Sequence, residues 1–367
     1  MSVPRRDDGA RAVVIGGGLA GLCAAHGLAS TGTRVLLLEA AASLGGQIRT
    51  ERVDGCVVEH GAEGFIARSE AVPTLARSLG VGTELIGQST LRSLGYDGEA
   101  LRELAPGEAG KFLGLQVAEE DLGKGIRSFR RGMASLVEAL ELALARAGVE
   151  VATSVAVTTL ERGRHALRVR TRDDDAHETS FVVVATPASA ASLLLEALVG
   201  DAALALADAP TSSSITVTLA HARRQVPHAL DATGFVAAPD VELHGARACT
   251  FVTSKFAERA PDDTALLRVF FRPEPGELAR LDEVAWTERA RAVLRRVLDV
   301  HGVPLRTWVS RWPDALPVHT PAHRQSVADL ERALAGTGIV LAGSAFHGSG
   351  IDAALRSAQS AVRTGDG

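Results

Sequence analysis

Three glycines at positions 16, 18 and 21, followed by a glutamate at position 39, are the residues whose spacing points most directly to chemistry. The stretch "RAVVIGGGLAGLCAAHGLASTGTRVLLLE" sets Gly16-x-Gly18-x-x-Gly21 between a short apolar run and a longer apolar-faced one. In such an arrangement Gly16 makes a tight turn, Gly18 lets a pyrophosphate approach the backbone, and Gly21 lets helix and strand pack closely. Leu19 and Ala20 would open the helix, whose first N–H groups carry partial positive charge. A carboxylate at Glu39 can accept from both hydroxyls of a ribose and would repel a 2′-phosphate, which excludes NADP. A second glycine-rich stretch, "LAGSAFHGSGIDAAL" (341–355), also follows an apolar run and opens a helical one. It is either a second nucleotide site or another wall of the first.

These residues need elements to hold them. Residues 12–15 and 34–38 have the length and apolar content of buried strands, with a helix over 19–30 between them. Met133, Leu136, Val137, Leu140 and Leu144 share one helical face. "VEVATSVAVTTLER" alternates as strands do, and "FVVVATPASAASLLL" gives a buried strand and then a helix. The long apolar segment 188–206 carries Glu196 and Asp201 and is expected to be a buried helix rather than a membrane span. Further strands are expected over 213–219, 248–253 and 265–271, with a helix over 283–300; "RPEPGE" (272–277) is a loop. No second Gly-x-Gly-x-x-Gly unit lies between Val155 and Leu341.

Composition bounds the rest. At 367 residues, two domains are expected, and 46% hydrophobic with 23% charged residues is ordinary globular usage. A net charge of −5 argues against a nucleic-acid partner, since phosphate binding needs a basic field. Cys23, Cys56 and Cys249 show neither a disulfide framework nor metal-ligand spacing, so a reducing, cytoplasmic setting and no metal are expected. Cys23 and His26 are expected to be packing or surface residues.

"AAASLGGQIRTERVDGCVVEHGAEGF", which follows Glu39, and "GAEGFIARSEAVPTLARSLGVGTELI" carry a resemblance. So do "FRRGMASLVEALELALARAG", "ACTFVTSKFAERAPDDTALLRVFF" and "VSRWPDALPVHTPAH". Together they resemble the protoporphyrinogen and coproporphyrinogen oxidase group of the FAD-dependent flavin amine oxidase superfamily, in pieces along most of the chain. The resemblance implies an α/β fold. It would pair a Rossmann-type, glutathione-reductase-like FAD domain (11–87, 128–189 and 311–362) with an α+β substrate domain on a mixed sheet (190–310). It makes the C-terminal glycine stretch a second wall of a single FAD site, with Gly343, Gly348, Gly350 and Ile351 bringing N–H groups to the flavin. The other implied FAD positions are Gly16, Gly18, Leu19, Ala20, Gly21, Glu39, Ala40, Gly45, Gly46, Gln47, Gly61, Ala62, Val155, Ala185, Thr186 and Trp312. Ser43 stands where the family usually has arginine.

The family inserts a long helical region after the "SLGYDGEALRELAP" segment, and here only residues 107–127 remain, so 88–127 is a shortened remnant. That leaves the substrate open between a porphyrinogen and a smaller natural-product intermediate, possibly displayed on a peptide or carrier partner. Membrane contact would be peripheral at most. The implied activity is hydride transfer from a substrate C–H to flavin N5, with oxygen as acceptor because no NAD(P)H domain is evident. The alternatives are an amine oxidase or desaturase, and a non-catalytic flavin-binding partner subunit. Lys255, His319 and His347 are the candidate acid–base side chains, although a surface position is favoured for Lys255. Trp308 and Trp312 are expected to pack in the core.

Overall fold

The computed structural model describes residues 11–66, 68–112, 124–164 and 166–365. The chain divides into two compact units: residues 1–47, 136–210 and 317–367, and residues 48–135 and 211–316. The expected segments broke instead after 87, 127, 189 and 310.

In the first unit, five strands form one parallel sheet in the order Glu150–Ala152, Arg34–Leu38, Arg11–Ile15, Phe181–Val184, Ile339–Leu341. Val13, Val14, Leu37, Val182 and Val183 are fully buried, as befits parallel strands covered on both faces. The helices Leu19–Ser30 and Ile351–Gly365 pack on each other, and a Cβ at Gly27 would stand 2.7 Å from Val362 Cγ2. A separate core joins sheet residues Val13, Val182 and Leu341 to Leu160 and Val169 of an antiparallel three-stranded sheet (Val157–Arg162, Leu167–Thr171, Ala176–Thr179). The helices Ala188–Val199 and Pro321–Leu334 contribute Leu195 and Leu330 to the same core. The register sets Ile15 beside both Leu38 and Val184, Val184 beside Leu341, and Leu38 beside Ala152. The carboxyl ends of all five strands are therefore level, so Gly16, Glu39, Ala185 and Ala342 leave the sheet along one edge.

The second unit carries a seven-stranded mixed sheet. Its order is Arg306–Pro317, Thr211–Ala222, Thr264–Phe271, Ala246–Phe251, Gly234–Ala237, Leu94–Tyr96, Leu101–Glu103. Gly234–Ala237 and Leu94–Tyr96 run parallel. Alternation along "TALLRVFF" divides this sheet's faces. Ala265, Leu267, Val269 and Phe271 join a core with Trp286, Ala290, Val293 and Leu294 of the helix Glu283–Leu298. Leu266, on the opposite phase, joins Cys56, Val58 and Trp308, and Arg268 shares that phase. The helix 283–298 starts where its N-cap Asp282 accepts from Ala285 N–H at 2.8 Å, and it ends at Asp299 in the left-handed region.

The segment expected as a helical remnant supplies the last two strands at one side of this sheet, joined at Asp97-Gly98, and the short helix Glu108–Phe112. The Asp97 side chain accepts from the N–H groups of Glu99 and Ala100, and Gly98 has a φ of 107°, the chemistry of a tight hairpin turn. Residues 113–123 of the expected remnant lie outside the described residues.

Trp286 is completely buried and touches Phe271 at a ring-centroid distance of 5.3 Å. Trp286→Ala should cost about 3–5 kcal/mol, read as a lower midpoint in urea unfolding.

Candidate functional site

The glycines of the first turn are held by different contacts. Gly16 has a φ of 106°, and a Cβ there would strike the Ala185 carbonyl oxygen at 2.5 Å. A Cβ at Gly21 would lie 1.8 Å from the Gly16 carbonyl oxygen, so the helix sits directly on the turn. Gly18 has ordinary dihedrals, and a Cβ there would meet nothing within 4 Å. The backbone at this one glycine is open. Gly18 is the N-cap of the helix 19–30 and no side chain caps it, so the first N–H groups and the positive end of the dipole are left to a ligand.

Other expected residues gather along the same edge. Gly45 N–H donates to the Gly17 carbonyl at 2.9 Å, and a Cβ at Gly46 would come within 3.1 Å of Gly18 Cα. Gly45 and Gly46, with φ of 103° and 56°, thus lie against the turn, and Gln47 follows them, exposed. Glu39 Oε2 accepts from Gly17 N–H at 2.5 Å and its Oε1 from Ala41 N–H at 2.7 Å. Each oxygen keeps a second lone pair for a hydroxyl donor. Val155 N–H donates to the Glu39 carbonyl at 2.9 Å, and Ala40 is exposed. Ala185 and Thr186, both half-buried, back the Gly16 turn. Gly343 has a φ of 116°, and a Cβ there would stand 3.4 Å from Ala20 Cβ, so both glycine-rich stretches meet. Gly348 and Gly350 also have positive φ, and Ile351 begins the last helix. A pyrophosphate fits this cradle, because the groups that face it are backbone N–H and bare Cα.

Two expectations for this unit change. Gly343 N–H does not face outward: it donates to Ser357 Oγ at 2.8 Å. His347 is tied at both ring nitrogens, Nδ1 to Ser357 Oγ at 2.6 Å and Nε2 to Glu331 Oε1 at 2.7 Å. The imidazole, engaged on both sides, links Ser357 behind the glycine turn to Glu331. His319 is half-buried, its ring 5.4 Å from that of His323. Burial first, and then the His323 ring, hold it below the ordinary imidazole range.

Gly61, Ala62, Trp312 and Lys255 belong to the second unit. Lys255, favoured as a surface residue, is buried and ion-paired with Glu63. The pairing with a carboxylate permits that burial. Glu63 is shared with Arg268 at 3.5 Å, and Arg268 also donates to the Gly61 carbonyl at 2.8 Å. Burial alone would raise the Glu63 carboxyl, but Lys255 and Arg268 override it and hold the group low. Nearby, Glu59 pairs with Arg259 at 3.4 Å and accepts from Thr50 Oγ and Met133 N–H, both at 2.7 Å. Trp308 is buried as expected. Trp312 is half-buried, its indole N–H donating to the His60 carbonyl at 2.6 Å, so a polar anchor replaces the expected core position. Sequence reasoning missed Glu59, Glu63, Arg259 and Arg268; the arginine inside the apolar run "ALLRVFF" was the available signal.

Cys23 is buried, its thiol pushed up to about 12 by desolvation, which makes it an inert packing group. Among the described residues no group of His, Cys, Asp and Glu could hold a metal ion, and no helix is long and apolar enough to cross a membrane.

A glycine turn, an uncapped helix and an acidic strand end on the carboxyl edge of a parallel sheet define a dinucleotide-binding protein of Rossmann type. The NAD(P)-binding Rossmann-like family matches residues 14–79, and the family of flavin-containing amine oxidoreductases matches residues 90–364. The chain belongs to the flavin-containing amine oxidoreductases and is an FAD-dependent oxidoreductase. It is 32% identical over 228 residues to the coproporphyrinogen III oxidase of Propionibacterium freudenreichii, covering 61% of this chain and 42% of that protein. Against the coproporphyrinogen III oxidase of Bacillus subtilis it is 21% identical over 458 aligned positions, 95% of this chain and 96% of that protein. Since 458 positions exceed 367 residues, the Bacillus protein carries internal segments that this chain lacks. A solved structure from Exiguobacterium sp. 255-15, provisionally assigned as a protoporphyrinogen oxidase, shares the fold. Its TM-score is 0.82 at 22% identity, over 97% of this chain and 98% of that one.

Two outcomes follow. Gly18→Ala adds a methyl that meets no protein atom, so the unfolding midpoint of the apoprotein should stay put while FAD affinity falls roughly tenfold or more, about 1.4 kcal/mol, in a fluorescence titration. Equal affinity would remove the phosphate from Gly18. The second concerns pH. His26, His60, His221, His228 and His319 are all held below the ordinary imidazole value of 6.5, in each case first by burial. A depressed folded-state pKa contributes stability that is present above the unfolded value and lost as pH falls through the folded one. The thermal midpoint should therefore drop as pH falls below 6.5, and His221→Phe should make that drop shallower.

Proposed function

We propose that the protein oxidises a porphyrinogen, with coproporphyrinogen III the first candidate, and that oxygen takes the electrons. The observation that carries this reading is the match to a coproporphyrinogen III oxidase along 95% of this chain and 96% of the relative. When bound, FAD supplies the hydride acceptor. The protein's part is to bind and orient it and to set the charge around it. Gly16, Gly18, Leu19, Ala20 and Gly21 would receive the pyrophosphate, with Glu39 on the ribose, the Val155 backbone beside the adenine, and Gly45, Gly46 and Gln47 along the chain that follows. The start of the helix 351–365, with Gly350 and Ile351, would offer N–H groups where negative charge develops on reduction.

No strong base is required of the side chains, because aromatisation of the product assists loss of the pyrrole N–H proton. Lys255 is ion-paired with Glu63. In the first unit, His319 is the remaining imidazole candidate, and its lowered pKa keeps it neutral near pH 7. The absence of a second Gly-x-Gly-x-x-Gly unit from the sequence supports oxygen over a nicotinamide partner. A cytoplasmic site of action suits the three free, buried cysteines.

A second reading has one observation in its favour: the internal segments that the Bacillus relative has and this chain lacks. Loss of substrate-enclosing structure would suit an amine oxidase or desaturase that forms a C=N or C=C bond in a smaller intermediate, or in one presented on a peptide or carrier.

Anaerobic mixing of the yellow protein with coproporphyrinogen III or protoporphyrinogen separates these readings. Bleaching of the flavin band within turnover time, then porphyrin fluorescence on admitting air, is the expected result. A flavin that stays oxidised with both porphyrinogens yet is bleached by amines would transfer the assignment to the second reading.

A further inference from the structure

Inside the second unit, against the phase of the strand 264–271 that carries Leu266 and Arg268, lies a small cavity. Val57, Val252 and Phe256 give it apolar walls, and two arginines, Arg259 and Arg268, line it together with their carboxylate partners Glu59 and Glu63. It has room for one particle of about the size of a water. Both arginines are nearly inaccessible, at 1% and 3% exposure. Their terminal nitrogens are occupied: those of Arg259 by Glu59, Ser128 Oγ and the Phe129 carbonyl, those of Arg268 by Glu63, Thr216 Oγ and the carbonyls of His60 and Gly61. The Nε–H groups of both arginines, in contrast, find no acceptor among the described residues. Buried charged donors seldom go unmatched, because the loss of hydration is then uncompensated.

The charges do not balance either. Among the described residues, Lys255, Arg259 and Arg268 face two carboxylates, Glu59 and Glu63. The neighbouring acids are already paired, Glu51 with Arg306 and His60, and Glu258 with Arg130. One positive charge is therefore left over in a low-dielectric region, where an unpaired ion is strongly disfavoured.

We propose that this cavity is a binding site for one monovalent inorganic anion of halide size, chloride in the first instance, held by the Nε–H groups of Arg259 and Arg268. A water molecule would accept both hydrogen bonds but leave the charge uncompensated; a halide does both. The confined space excludes phosphate and sulfate. Every residue in the site belongs to the second unit.

Two measurements on the intact, FAD-loaded protein test it. Crystals grown in bromide should give an anomalous peak between the two Nε atoms at the bromine edge. Thermal unfolding in chloride or bromide, against gluconate at the same ionic strength, should show a saturable rise of about 2–4 °C. Arg268→Lys, which keeps the charge but removes the guanidinium with its Nε–H, should abolish the halide-specific rise. Ordered density without an anomalous peak at saturating bromide identifies a water and overturns the proposal, as does an equal rise in gluconate. If Arg268→Lys does not fold, the bromide result on the unaltered protein decides.

Discussion

The helix 19–30 can reach the glycine turn only because position 21 has no side chain. A single Cβ there would lie 1.8 Å from the Gly16 carbonyl oxygen, a distance no packing adjustment absorbs. Much of the first unit follows from that contact. With the helix seated on the turn, its uncapped N-terminus is directed at the open backbone of Gly18, and the Gly45-Gly46 pair can lie against Gly17 and Gly18. The last helix then packs against the first through Gly27 and Val362, and the Gly343 turn arrives beside Ala20. Close backbone approach at two or three glycines thus brings together segments separated by more than three hundred residues.

The second unit is organised by charge as well as by apolar packing. The helix 283–298 and the face of the sheet it covers form an ordinary hydrophobic core around Trp286. On the other phase of the strand 264–271, Arg268 belongs to a buried set of ions with Glu63 and Lys255, and Arg259 and Glu59 form a second pair close by. Such burial is sustained by mutual pairing and by carbonyls, at Gly61 and Phe129, that accept the remaining guanidinium donors. Removing any one partner would strand the others, so the cluster is a rigid charged scaffold.

The brace formed by Glu331, His347 and Ser357 shows how a chemically suggestive set of residues can serve geometry. The three side chains are linked by short hydrogen bonds, yet Ser357 is buried within a helix and accepts from the Gly343 N–H. The consistent arrangement runs from Gly343 N–H to the serine oxygen, from the serine hydroxyl to Nδ1, and from Nε2–H to the glutamate. Its effect is to fix a glycine-rich turn from behind, so the front of that turn is free for a ligand.

The sequence by itself determined the elements that depend on local spacing. The first strand, turn and helix, the acidic end of the second strand, the buried strand 181–184 and the alternation of 264–271 are all set by periods of 3.6 and 2 and by glycines at fixed offsets. The likeness of "TSKFAERAP" and "VSRWPDALPVHTPAH" to one oxidase group was legible for the same reason, as local text. Only the tertiary structure decided what lies between distant residues. The parallel register that levels five strand ends, the Asp97-Gly98 hairpin placed at a sheet edge, the burial of Lys255 on Glu63 and the inward turn of the Gly343 N–H depend on partners tens to hundreds of residues away. A lysine in sequence is a surface residue on average; it becomes a buried ion only where a fold brings a carboxylate to it, and no local pattern carries that pairing.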